Sequence, residues 1–109
     1  MKRNRNDVIA EIKTARDEAR VTANAYKDLT AMAYDYWRAI AGVATYDEAL
    51  DLFARAIEHV IPDMAVRAAA NLERARYRDT AETSLAVAEG RRAALASVAD
   101  WMYNEKDNS

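Results

Sequence analysis

The stretch DVIAEIKTARDEARVTANAYKDLTAMAYDYWRAIAG, Asp7–Gly42, decides the fold class. Steps of four and three from Val8 land on Ile12, Ala15, Ala19, Thr22, Tyr26, Leu29, Ala33, Tyr36 and Ile40; nine of these ten positions are apolar or aromatic. Chance would fill about five, so the stripe is the signature of a helix with one buried face. Asn6 or Asp7 can cap its start, and Gly42 stands where a left-handed residue closes a helix. The pattern predicts a long N-terminal helix over about 7–41, roughly 50 Å at 1.5 Å per residue. The opposite face carries Lys13, Asp17, Arg20, Asn24, Lys27, Ala31, Tyr34 and Arg38. Tyr34 is the odd member of that polar row.

Downstream, Thr45-Tyr46-Asp47-Glu48 has the form of a capping box, and Ala49, Leu50, Phe53, Ala54, Ile57, Val60 and Ile61 continue at helical spacing. This predicts a second helix over about 46–60, ended by Pro62. It is acidic, with five acids and one Arg across residues 42–66. Met64, Ala65, Ala68, Ala69, Leu72 and Ala75 form the next apolar face; Ala81, Leu85, Ala88, Leu95, Val98, Ala99 and Met102 form another. The two faces do not join in phase, and Asp79 with Glu82 reads as a cap signal. Helices over about 64–78 and 80–103 follow, with one continuous helix as the other reading. The tail Asn104–Ser109 should fray. The expectation is an all-α domain spanning 1–109, a bundle of three or four helices. A helix of about 50 Å facing one of about 24 Å leaves part of its stripe uncovered, which predicts a homodimer.

Composition narrows the function. The 109 residues carry 16 Lys+Arg against 18 Asp+Glu, a net charge of −2, without the basic excess expected of a protein that wraps a nucleic acid backbone. The absence of cysteine removes disulfides, thiolate metal sites and Cys nucleophiles; one histidine cannot build a His-paired di-metal site. Two glycines and one proline leave no glycine-rich phosphate loop. Much of the 51% hydrophobic content is alanine, which contributes little area but lets helices approach closely. No apolar run reaches ~18 residues, so no membrane span is expected, and the basic start lacks the apolar segment of a secretory signal. The expected location is the cytoplasm, and no metal or cofactor is expected.

Two sets of residues stand out as candidate sites. Lys27, Tyr34 and Arg38 fall on one side of the predicted first helix, beside an aromatic cluster of Tyr26, Tyr36, Trp37 and Tyr46. Tyr, Trp and Arg dominate binding hot spots, so this is the candidate partner-binding surface, unless Tyr34 packs on the last helix or a dimer mate. Arg67, Asn71, Arg74 and Arg78 share one face of the third helix. That row could contact phosphate, helped by Lys2, Arg3 and Arg5, or match the acidic second helix within the chain. His59 sits between Glu58 and Asp63; the plain reading is a cation near a helix end, and no nucleophile accompanies it.

Two resemblances bear on class. Tyr46-Asp47-Glu48-Ala49-Leu50 with Phe53, Ala56 and Pro62 is similar to the second helix of a tetratricopeptide repeat, over about 17 residues. One repeat makes no solenoid, so this is read as convergence on a short amphipathic helix. Tyr103 and Asp107 resemble the C-terminal Tyr-x-x-x-Asp signal of the WXG100 class of small type VII secretion substrates. That resemblance would imply a secreted helical hairpin. The function expected from the residues themselves is a non-enzymatic adaptor or small inhibitor, of the kind phages and mobile elements encode, that occludes a surface of another protein. The alternatives are a nucleic-acid-binding helical dimer and the secreted hairpin.

Overall fold

A computed structural model describes residues 3–78 and 80–103 as four helices. They are α1 (Arg5–Tyr26), α2 (Ala33–Ala54), α3 (Ile61–Tyr77) and α4 (Glu82–Tyr103), with 3-10 turns at Thr30–Met32 and Glu58–Val60. The chain is an all-α four-helix bundle with extents of 40 × 32 × 30 Å. α2 packs against both α1 and α4, and α3 packs on α4.

The predicted helix over 7–41 is instead two helices. α1 begins at Arg5 because the Asn4 side chain, rather than Asn6 or Asp7, caps it, accepting the Asn6 amide at 2.8 Å. It stops at Tyr26, and Leu29 is extended at φ −101°. The Leu29 amide reaches the Tyr26 carbonyl at 3.1 Å and Met32 reaches Leu29 at 2.9 Å, so the turn satisfies its own backbone. α2 then folds back along α1. The stripe survives only in α1, where Val8 and Ile12 are fully buried; Leu29 and Ala33 of its second half are exposed. The uncovered 50 Å helix, from which a dimer was expected, does not exist.

The helix expected over 46–60 is the second half of α2, which runs through both Gly42 and Thr45. Gly42 is buried mid-helix and has no positive φ, so it closes nothing. Thr45 is buried too, and its Oγ1 donates to the Ala41 carbonyl at 2.7 Å, the bond a threonine makes inside a helix rather than at its cap. α2 ends at Ala54 in a Schellman motif. The Ile57 amide donates to Leu52 O at 2.9 Å and the Ala56 amide to Phe53 O at 3.1 Å, with Ala56 itself left-handed at φ 57°. Pro62 therefore does not end a helix; it occupies the first turn of α3, where its missing N–H costs nothing.

The turn between α3 and α4 lies where the two apolar faces lose phase, between Tyr77 and Glu82. The proposed Asp79 cap and the Asn104–Ser109 tail lie outside the described residues. The large buried side chains gather at one end of the bundle: Val8 and Ile12 from the start of α1, Phe53 from the end of α2, Ile61 from the start of α3, and Leu95, Val98 and Met102 from α4. At the other end the buried residues are mostly small: Ala23, Ala41, Gly42, Ala86, Gly90 and Ala94, with Leu72. There α2 and α4 cross closely, with Gly90 against the backbone of Arg38. A Cβ on Gly90 would overlap the Arg38 carbonyl oxygen and lie 3.1 Å from Ala41 Cβ.

At the large-residue end Arg5 ties three elements. Its guanidinium donates to the Phe53 carbonyl at the C-terminus of α2, lies 5.4 Å from the Phe53 ring centroid, and pairs with Glu58 at 3.1 Å. A cation is favoured at a helix C-terminus, where carbonyls lack helical partners.

Candidate functional site

The break after Tyr26 separates the first candidate set. Lys27 caps the end of α1, whereas Tyr34 and Arg38 lie in the first two turns of α2, so the three do not share one helix face. Tyr34 is half-buried and its hydroxyl donates to the Glu89 carboxylate on α4. Glu89 also lies 4.0 Å from Arg76 of α3. Tyr34 thus packs on the last helix, the other outcome that the sequence left open, and does not project into solvent. Arg38 is exposed and makes no ion pair among the described residues.

Arg38 stands over a cleft of about 320 Å³. One wall is α1 with Ala19, Thr22 and Tyr26; α2 supplies Asp35, Arg38, Gly42 and Tyr46, and α4 supplies Gly90, Ala93 and Ala94. The space exists because the facing positions are alanine and glycine. Gly42 contributes most directly: a Cβ there would meet only Ala19 Cβ, at an ordinary 3.8 Å. Deeper in, the Tyr46 ring stacks on Trp101 with centroids 6.2 Å apart. Burial pushes the Tyr46 phenol above its ordinary pKa, against a hydrogen bond with Ser97 and the charge of Arg38. Tyr46 is therefore a neutral hydrogen-bonding group at physiological pH. The cleft offers guanidinium and phenol groups, one carboxylate and a floor of alanine and glycine.

Of the second set, Arg67, Asn71 and Arg74 are exposed on α3, whereas Arg78 is exposed just past the end of the helix, in extended backbone at ψ 162°. Arg67 pairs with Asp63 at 2.9 Å, one turn earlier, and Arg74 donates to the Asn71 side-chain carbonyl. The row does not match the acidic stretch of α2. That match comes from Arg16 of α1, 3.4 Å from Asp47, and Arg91 of α4, 2.9 Å from Glu48. Nor do Arg3 and Arg5 extend the row, because Arg3 pairs with Glu11 at 2.9 Å and Arg5 is engaged at Phe53 and Glu58. Lys2 lies outside the described residues.

His59 is exposed in the 3-10 turn ahead of α3, at the end of the bundle away from the Arg38 cleft. Tyr103 closes α4, and Asp107, its counterpart in the secretion-type tetrad, lies outside the described residues. Among the described residues no helix is long and apolar enough to cross a membrane, and no three His, Asp or Glu side chains gather as metal ligands. The sequence reading missed Asp35 and the cleft. Their signal is the small residues Ala39 and Gly42 one turn apart on the side of Asp35, obscured because Gly42 also suits a helix stop.

No protein family, curated protein or solved structure matches this chain.

Proposed function

We propose that the chain is a non-enzymatic binding module, an adaptor or small inhibitor, that works in the cytoplasm by occupying a surface of another protein. Arg38 carries this reading. An exposed guanidinium without an ion pair among the described residues, poised over a 320 Å³ cleft with Tyr26 and Tyr46 in its walls, has the composition of an interface hot spot. Tyr34, next to Asp35 in sequence, ties the start of α2 to α4 through Glu89, and Lys27 follows Tyr26 at the end of α1. The homodimer stays part of the proposal on a different footing from the long uncovered helix, namely the exposed apolar side chains of Leu29 and Trp37. The test is capture of a partner from the native host by immobilised wild-type chain, Arg38→Glu and Arg67→Glu, with melting curves for each. A partner retained by wild type and Arg67→Glu but lost by Arg38→Glu, at unchanged melting temperature, supports the cleft; equal retention by all three sinks it.

A second reading rests on the exposed arginines Arg67 and Arg74 of α3, with Arg78 just past its end. Such a group suits phosphate contact, and salt-sensitive retention on heparin, weakened in Arg74→Glu/Arg78→Glu, would favour nucleic acid over a protein partner.

A further inference from the structure

The outward side of α2 carries a second apolar row. Ala33, Trp37, Ile40 and Ala44 follow steps of four, three and four, the spacing of a coiled-coil seam. Ala33 and Ala44 are exposed, Trp37 is 39% exposed and Ile40 half-buried. Tyr36 braces Trp37 edge-on, with ring centroids 5.2 Å apart. Between Leu29 and Tyr46 the charges are Asp35 and Arg38, and both line the cleft on another side of the helix. The seam itself is uncharged.

We infer that this seam is the surface on which a second copy of the chain docks, α2 against α2 in antiparallel order. The inference rests on the homodimer reading above and assigns it a place. The row reads small, large, large, small, so it is unchanged when reversed. A two-fold axis between Trp37 and Ile40 sets Trp37 of each copy on Ile40 of the other and Ala33 on Ala44. This is the self-complementarity that a two-fold interface requires. A parallel pairing would set Trp37 on Trp37 and leave the alanines apart. The lower half of α2 carries Asp47, Glu48 and Asp51, each already paired within its own chain, with Arg16, Arg91 and Arg55, so the order is decided by the fit of the row rather than by repulsion between acids. In antiparallel order Asp47 arrives beside Thr30, ahead of the other copy's α2 N-terminus, where the helix dipole favours an acid. Arg38 faces the cleft and stays available to a different partner.

Sedimentation of the wild-type chain from micromolar to near-millimolar concentration should give twice 12.2 kDa. Trp37→Glu should give the monomer mass with unchanged helicity. Val66→Glu, at an exposed apolar position on α3, should remain dimeric. Because the chain has no cysteine, Ala33→Cys and Ala44→Cys report the register directly. The two variants mixed should cross-link to each other, and neither should cross-link alone. A monomeric wild type overturns both the dimer and this surface, leaving the seam to a partner of another kind. A wild-type dimer that survives Trp37→Glu, or whose cysteine variants fail to cross-link when mixed, overturns the surface and leaves the dimer standing. Cross-linking of each variant alone overturns the antiparallel order.

Discussion

Three single residues set local terms that can be measured. Ala56 holds φ 57°, a conformation that costs an L-residue about 1–2 kcal/mol, because the Schellman motif ending α2 needs it. Ala56→Gly should raise stability by about 1 kcal/mol after glycine's own entropic cost, read as a shift in the urea midpoint at constant slope. The two glycines should respond in opposite directions. Gly90→Ala drives a methyl into the Arg38 carbonyl at the α2–α4 crossing and should cost about 1–3 kcal/mol. Gly42→Ala meets only ordinary contact and should gain up to about 1 kcal/mol from helix propensity, while narrowing the cleft. Equal effects at the two sites would contradict the crossing geometry. From sequence the two glycines look alike, as interruptions of helical pattern; only the neighbouring helix tells them apart.

At the scale of elements, the boundaries that could be read were those where phase changes. The α3–α4 turn was legible because the apolar face of Met64–Ala75 cannot continue into that of Leu85–Met102. Thr80→Pro tests it: the substitution removes the Thr80 amide bond to Arg78 O at 2.8 Å but breaks no helix. The expected loss is about 1 kcal/mol by thermal melting, against the 3 kcal/mol or more of a helix interior. The α1–α2 turn was illegible for the opposite reason. Lys27-Asp28-Leu29-Thr30 holds no glycine or proline, and Leu29, Ala33, Tyr36 and Ile40 happen to keep the phase of Val8 to Tyr26 across it. The punctuation that was present misled. Thr45 and Glu48 look like a capping box until the threonine hydroxyl is seen spent on Ala41, and Pro62 serves a start as readily as a stop. Of the candidate site, Arg38 was legible as an exposed charge beside aromatics. Tyr34 was not, because its partner Glu89 is 55 residues away.

For the whole molecule, the ties between distant segments set the response to pH. Arg5 hydrogen-bonds Glu58 and holds its carboxyl below the ordinary range, so the unfolded chain binds more protons on acidification. The resulting stability is present above the unfolded value near pH 4.3 and is lost as pH falls through the lower folded value. With Arg5 partly in solvent, the contribution is no more than about 1 kcal/mol. Melting temperature against pH should therefore fall less steeply below pH 4 in Arg5→Ala than in wild type; parallel curves would show that the pair contributes nothing. Tyr46 works at the other extreme. Its raised phenol pKa leaves stability intact below the unfolded value near pH 10 and erodes it as pH rises further.

The uneven filling of the bundle has a kinetic side. Phe53, Ile12, Ile61, Leu95 and Met102 lock one end, while the other is closed mainly by alanine and glycine. Each opening of the small-residue end exposes little hydrocarbon to water, so it should unzip and reclose without global unfolding. Deuterium uptake would then run in a gradient along the bundle axis. Amides of Val21–Tyr26 and Val87–Arg91 would exchange through frequent partial opening, and those around Phe53 and Val98 only through rare complete unfolding. The Arg38 cleft lies in the fast half, so a ligand seated there would slow exchange across three helices at once.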